Sequence, residues 1–264
     1  MLGAQTHMTT TRTADVGFRR RLQAEDGVVV SAEHLPRADG SRELAVIVAH
    51  GFTLHSRHPR LRRIAAWLRH SAGLILLDLR GHGGSGGVCT MGWQEVQDVE
   101  AAVGWARSLG YARIATLGFS LGSAVVVRHA AIYADVDAVA AVSGPGQWYY
   151  RGTPRMRQLH RLVLGRSGRA AIRLARGTRI SRQGWTEPYP LDPVAAAGHL
   201  DVPLLVVHGE LDDYFPTSHA ERVSAAAGSM GTLWLVPGFG HAEGAVDEHL
   251  ARRIGDWLVA ACRA

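Results

Sequence analysis

Short, continuously apolar runs alternate with helix-length segments along this chain, and that rhythm leaves few architectures open to it. The runs fall at 28–33, 44–50, 74–79, 113–117, 138–142, 204–208 and 232–236, and the helix-length segments at 59–70, 93–109, 120–133, 218–227 and 246–261. Leu44, Ala45, Val46, Ile47 and Val48 are apolar without alternation, as in strands covered on both faces. Val96, Val99, Ala102, Val103 and Ala106 recur at helical spacing. The pattern predicts an α/β fold, a mostly parallel sheet with helices on both faces. At 264 residues the chain is long enough for one large domain with an insertion.

One stretch breaks the rhythm. Between 146 and about 190 no strand is evident, although well-defined strands flank it. Met156, Leu159 and Val163 fit one face of a short helix. Arg166, Arg169, Arg173 and Arg176 fit one face of another, with Gly165 and Gly168 between the two. Connections this long usually carry function. Residues 146–190 therefore read as an Arg-rich helical cap inserted into a core of 18–145 and 191–264, with 1–17 as a flexible leader.

Charge is concentrated in the same place. The chain has no lysine, and from Ala138 to Thr186 it has ten arginines and no Asp or Glu. Removing those ten from the net charge of +6 leaves −4 elsewhere. The excess is local, shaping the field near the insertion. A solvated surface is the simpler reading of the arginine face, and a ligand clamp the alternative. Peripheral contact with anionic lipid stays open, but no nucleic-acid-binding motif accompanies the charge. No apolar run approaches the roughly 20 residues of a membrane span, and the first twenty residues contain no secretion-type apolar segment. Cys89 and Cys262 match no metal-ligand spacing, and a cytoplasmic location is expected.

The chemistry centres on Gly118-Phe119-Ser120-Leu121-Gly122, set between the run 114–117 and the helical stretch after 123. A serine on a sharp strand-to-helix turn has an exposed hydroxyl, and flanking glycines relieve backbone crowding there. His50-Gly51-Phe52 closes an earlier strand, so the backbone amides of Phe52 and Leu121 are candidates for an oxyanion hole. After the run 204–208 come Asp212 and Asp213, either of which can hold an imidazole in the required tautomer or cap the next helix. His241, flanked by Gly240 in a loop after the last strand, is the best general base among the 14 histidines. His50 reads as structural, and His55 and His58 lack a third ligand for a metal.

Together, His50-Gly51-Phe52, the stretch from Asp78 to Ser85, Gly118–Gly122, His208-Gly209 with Asp212, and Gly240-His241 resemble the α/β-hydrolase superfamily. The resemblance is to its capped branch of serine esterases, monoacylglycerol lipase-like enzymes and serine aminopeptidase-like proteins, and it covers roughly 25–260 outside the insertion. It implies an eight-stranded sheet, a helical lid after the sixth strand, and Asp212 rather than Asp213 beside His241. It also implies that Asp78–Ser85, with His82, is mainly a structural turn. The Arg-rich insertion is not a hallmark of the family.

The expected activity is a serine hydrolase cleaving a carboxylic ester of a small or medium-chain acyl substrate through an acyl-enzyme. Ser120 is the nucleophile, His241 the base and Asp212 its orienting acid, with no metal or organic cofactor. Thioester or amide cleavage would use the same residues. A catalytically silent ligand-binding or scaffold protein is the alternative of another class. Trp148, Tyr149, Tyr150, Trp185 and Tyr189 either line an acyl pocket or anchor the insertion at its hinges.

Overall fold

The computed structural model describes residues 17–263; the leader expected over 1–17 lies outside them except for Gly17. Eight strands form one sheet in the order β1-β2-β4-β3-β5-β6-β7-β8. They are β1 (Phe18–Gln23), β2 (Val29–Leu35), β3 (Leu44–Ala49), β4 (Gly73–Asp78), β5 (Arg113–Phe119), β6 (Ala138–Val142), β7 (Leu204–Gly209) and β8 (Gly231–Val236). β1 with β2 and β2 with β4 pair antiparallel, and all other pairs are parallel. The sheet is thus mixed, with its parallel part from β4 to β8.

The apolar runs are continuous because both faces of the sheet are covered. All six residues of β3 are buried. Ala45, Ile47 and Ala49 enter one core with α2 (Glu95–Ser108), α3 (Leu121–Tyr133), α6 (Pro193–Ala197) and α7 (Ser218–Ala226). Leu44, Val46 and Val48 enter the other with α1 (Pro59–Leu68) and α8 (Glu248–Ala261). Two elements carried no usable pattern. β1 reads FRRRLQ with a single buried residue, since an antiparallel edge strand needs little apolar surface and its charges discourage further pairing. α6 has five residues, too few for a helical repeat, and is started by Asp192, whose side chain accepts from the Ala195 amide at 2.8 Å.

The segment between β6 and β7 contains α4 (Pro154–Leu164) and α5 (Arg166–Arg176). The sharp bend between them requires Gly168, where a Cβ would overlap the backbone of Leu162. Further along, Arg179 lies against the core: its amide donates to the Gly81 carbonyl and its carbonyl accepts from the Cys89 amide. Among the described residues, no helix is long and apolar enough to cross a membrane.

Candidate active site

Parallel β-strands deliver three loops to one end of the sheet. β5 ends in the turn bearing Ser120, β7 in the loop bearing Asp212, and β8 in the loop bearing His241. Ser120 adopts φ 49° and ψ −113°, a strained conformation for a residue with a side chain. Crowding enforces the glycines around it. A Cβ at Gly118 would overlap the carbonyl of Gly122, and one at Gly122 would overlap the carbonyl of Ala49. The serine amide donates to Val142 of β6, locking the turn to the sheet. α3 begins at Leu121, so the hydroxyl stands at the positive end of a helix dipole.

His241 Nε2 lies 2.9 Å from Ser120 Oγ. Its Nδ1–H donates to Asp212 Oδ2 at 2.8 Å, which leaves Nε2 free to accept the serine proton. Asp212 Oδ1 in turn accepts the amides of Tyr214 and Phe215 at 2.8 and 3.0 Å. The Asp212 side chain is fully shielded, and burial alone would raise its pKa. The hydrogen bond and charge of His241, with those two amides, outweigh burial and hold it below the usual carboxylate range. Asp213 points elsewhere, to the Arg155 guanidinium of α4 at 2.8 Å.

Phe52 and Leu121 line the same cavity as Ser120. Among the described residues neither backbone amide donates a hydrogen bond. For Leu121 this follows from its place as the first residue of α3, where an amide has no intrahelical acceptor. His50 and His82 are held as neutral supports. Nδ1–H of His50 donates to the Gly51 carbonyl, and its Nε2 accepts from Leu79. Nδ1–H of His82 donates to Arg80, and its Nε2 accepts from Thr53. Burial pulls the His82 pKa down to about 3. The turn carrying His82 is pinned by Arg80, whose side chain and amide both bond the buried Asp98.

Three supporting residues escaped the sequence reading. Glu243, fully buried, accepts the Gly51 amide at 2.6 Å. Ser143 Oγ accepts the Ala242 amide at 3.0 Å. Tyr214 stacks on His241 with ring centres 4.2 Å apart. Nothing in the spacing marks them, because each acts on a partner distant in sequence or through a ring face.

The cavity, about 200 Å³, is lined in part by α4 and by residues on either side of α4 and α5. Trp148, Tyr149, Tyr150 and Trp185 line it, with Leu159 and Val163 from α4. Two of these aromatics also tie down the segment between β6 and β7. Trp148 Nε1 donates to the carbonyls of Pro190 and Leu191, and Trp185 Nε1 donates to that of Thr90 at 2.7 Å. Tyr189 is exposed and takes no part in the lining.

Residues 40–186 match the family model described as serine aminopeptidase, S33. An uncharacterized protein of Mycobacterium tuberculosis is 28% identical over 230 residues, 83% of this chain and 70% of that protein. Among solved structures, the Pyrococcus furiosus esterase Pf2001 superposes with a TM-score of 0.74 at 19% identity, covering 98% of this chain and 96% of that one. The α/β hydrolase GrgF from Penicillium sp. sh18 gives 0.74 at 22% identity, over 94% of this chain and all of that one. A thermophilic esterase from Thermogutta terrifontis gives 0.69 at 19% identity, with 92% and 99% covered. At such identities the structural likenesses speak to the fold.

Proposed function

The chain belongs to the serine aminopeptidase S33 family of α/β-hydrolases, and from that premise we propose that it cleaves a carboxylic ester with a small or medium-chain acyl group. Ser120 attacks the acyl carbon as His241 takes its proton. Asp212 keeps His241 in the tautomer that accepts at Nε2 and stabilises it once charged. The amides of Phe52 and Leu121 receive the developing oxyanion. His241 then protonates the leaving oxygen, and water releases the acyl group by the same steps in reverse. The observation that carries this reading is the unbroken line Asp212–His241–Ser120, at 2.8 and 2.9 Å, opening into an apolar cavity.

The family's descriptive name suggests amide cleavage as a second reading. A free peptide amino terminus calls for a carboxylate nearby, and among the described residues none lines the cavity. The aromatic and aliphatic wall, with helices α4 and α5 serving as a cap, favours a neutral acyl chain instead. A fluorophosphonate probe tests the nucleophile, and p-nitrophenyl esters from acetyl to octanoyl test the substrate. The expected result is stoichiometric labelling at Ser120 and ester turnover that Ser120→Ala abolishes. An unlabelled serine with no ester turnover would mark a silent binding protein.

A further inference from the structure

A second cavity, about 380 Å³, opens beside the first and shares Arg169, Ile180, Ser181 and Arg182 with it. Five arginines stand in its wall, Arg166, Arg169, Arg173, Arg179 and Arg182, with no acidic residue among them. The first three share one face of α5 by their spacing of three and four. The other two come from the returning segment, which is fixed to the core: the Arg179 guanidinium donates to the carbonyls of Ser85 and Gly87.

Among the described residues no acidic side chain neutralises this charge. Arg169 likewise donates to backbone carbonyls, those of Val163 and Leu164. Such bonds orient a guanidinium and leave its full charge in place. Among the described residues none of the five forms an ion pair, whereas Arg155 outside the cavity pairs with Asp213. A merely solvated helix face would interleave acids, as α8 does with Glu248 and Arg252. Like charges around a concave wall repel one another until an anion sits among them. Planar guanidinium groups match phosphate oxygens in paired hydrogen bonds.

The neighbouring cavity defines the rest of the ligand. Its wall holds Ser120, the aliphatic side chains Leu159, Val163 and Leu164, and Arg169 and Arg182, which it shares with the second cavity. Resting on the serine hydrolase reading above, we propose that the substrate is a small phosphorylated amphiphile. Its ester or thioester bond lies at Ser120, an apolar stretch fills the first cavity, and a phosphate monoester at the far end sits among the five arginines. A phosphate is favoured over a carboxylate because it offers more charge and more acceptor oxygens to so many donors. The phosphate takes no part in the bond changes. Ser120 Oγ bonds the acyl carbon, its proton passes through His241 to the leaving oxygen or sulfur, and water restores the serine.

Octyl phosphate and octanol, compared as competitive inhibitors of p-nitrophenyl butyrate hydrolysis, test the proposal. In the wild type at low salt octyl phosphate should bind at least about tenfold more tightly than octanol, an advantage that sodium chloride erodes. In the double variant Arg166→Gln/Arg173→Gln the advantage should fall below about threefold. Equal inhibition in the wild type overturns the proposal, as does an advantage that survives in a double variant of unchanged melting temperature. Calorimetric titration of octyl phosphate reads the site without turnover. A protein that binds it but hydrolyses no ester would defeat the hydrolase reading and leave the anion site standing. Adsorption to phosphatidylserine vesicles without binding of octyl phosphate would make the arginines a lipid-facing surface and overturn the cavity site.

Discussion

The amide of Gly51 donates to Glu243 Oε1 at 2.6 Å, joining two loops that lie 192 positions apart in sequence. One loop presents Phe52 and the other carries His241. Glu243 is 3% exposed, and burial pushes its carboxyl up despite the opposing Gly51 hydrogen bond. Among the described residues the carboxyl makes no hydrogen bond to Ser120 or His241. It fixes the separation between the backbone that would hold an oxyanion and the imidazole that would move the proton.

Removing that tie should therefore cost both stability and rate. Glu243→Ala leaves the Gly51 amide buried without an acceptor, a loss of about 1–3 kcal/mol. The displaced loops should lower kcat/KM on p-nitrophenyl butyrate by about tenfold or more. Glu243→Gln keeps an acceptor oxygen and should recover most of both. An alanine variant matching the wild type in melting temperature and kinetics would show that the contact is incidental.

The backbone at Ser120 predicts an unusual order of stabilities. Its φ of 49° with ψ −113° strains any residue bearing a Cβ, and glycine escapes that strain. Ser120→Gly should accordingly unfold at higher denaturant than Ser120→Ala, by about 1 kcal/mol after glycine's larger unfolded-state entropy is counted. Both should lose activity by about 10⁴-fold or more. An alanine variant as stable as the glycine one would mean the turn holds no strain.

Asp212 and Asp213 are adjacent, yet their substitutions should differ by orders of magnitude. Asp212→Asn retains the shape but presents the wrong hydrogen-bonding partner to Nδ1 of His241, with an expected loss of about 10³–10⁴ in kcat. Asp213→Asn breaks only an exposed pair with Arg155 and should leave stability and activity nearly unchanged. Steady-state kinetics of the two variants, side by side, measure the contrast.

The sheet and its order of loops were legible because continuous apolar runs leave buried parallel strands little alternative. Ala138–Val142 falls where the pattern places it, and the other runs differ from the observed strands by one or two residues at one or both ends. β1 was not legible, since three consecutive arginines on an exposed edge obey no burial period. In the candidate site, Ser120 and His241 were visible as turn chemistry near glycines, and Ser120, Asp212 and His241 alike as positions following strands. Choosing Asp212 over Asp213 needed the family's spacing, because two neighbouring acids in a loop look alike without geometry. Glu243 and Tyr214 stayed hidden, as a buried tie and a stacked ring leave no mark in spacing.

Acid should draw stability from the protein below pH 6.5 through three buried histidines that are held neutral. Burial pulls His34 and His219 down to about 4, and His82 to about 3, from an ordinary value of 6.5. Their contacts suit the neutral ring: His219 Nδ1 accepts the Gly146 amide at 2.8 Å, and His34 is bonded to the Tyr111 hydroxyl at 2.7 Å. Below pH 6.5 the unfolded chain takes up protons that the folded one refuses, so stability falls as pH drops from there toward the folded values. Each group contributes at most about 1.4 kcal/mol per pH unit within that window, and nothing above it. Urea unfolding at pH 7.5, 6 and 5 should show the decline. In His219→Asn the side-chain oxygen can replace Nδ1 as acceptor but cannot take a proton, so its curve should be shallower by one histidine's share. A His219→Asn curve as steep as that of the wild type would mean that this ring accepts a proton in the folded state.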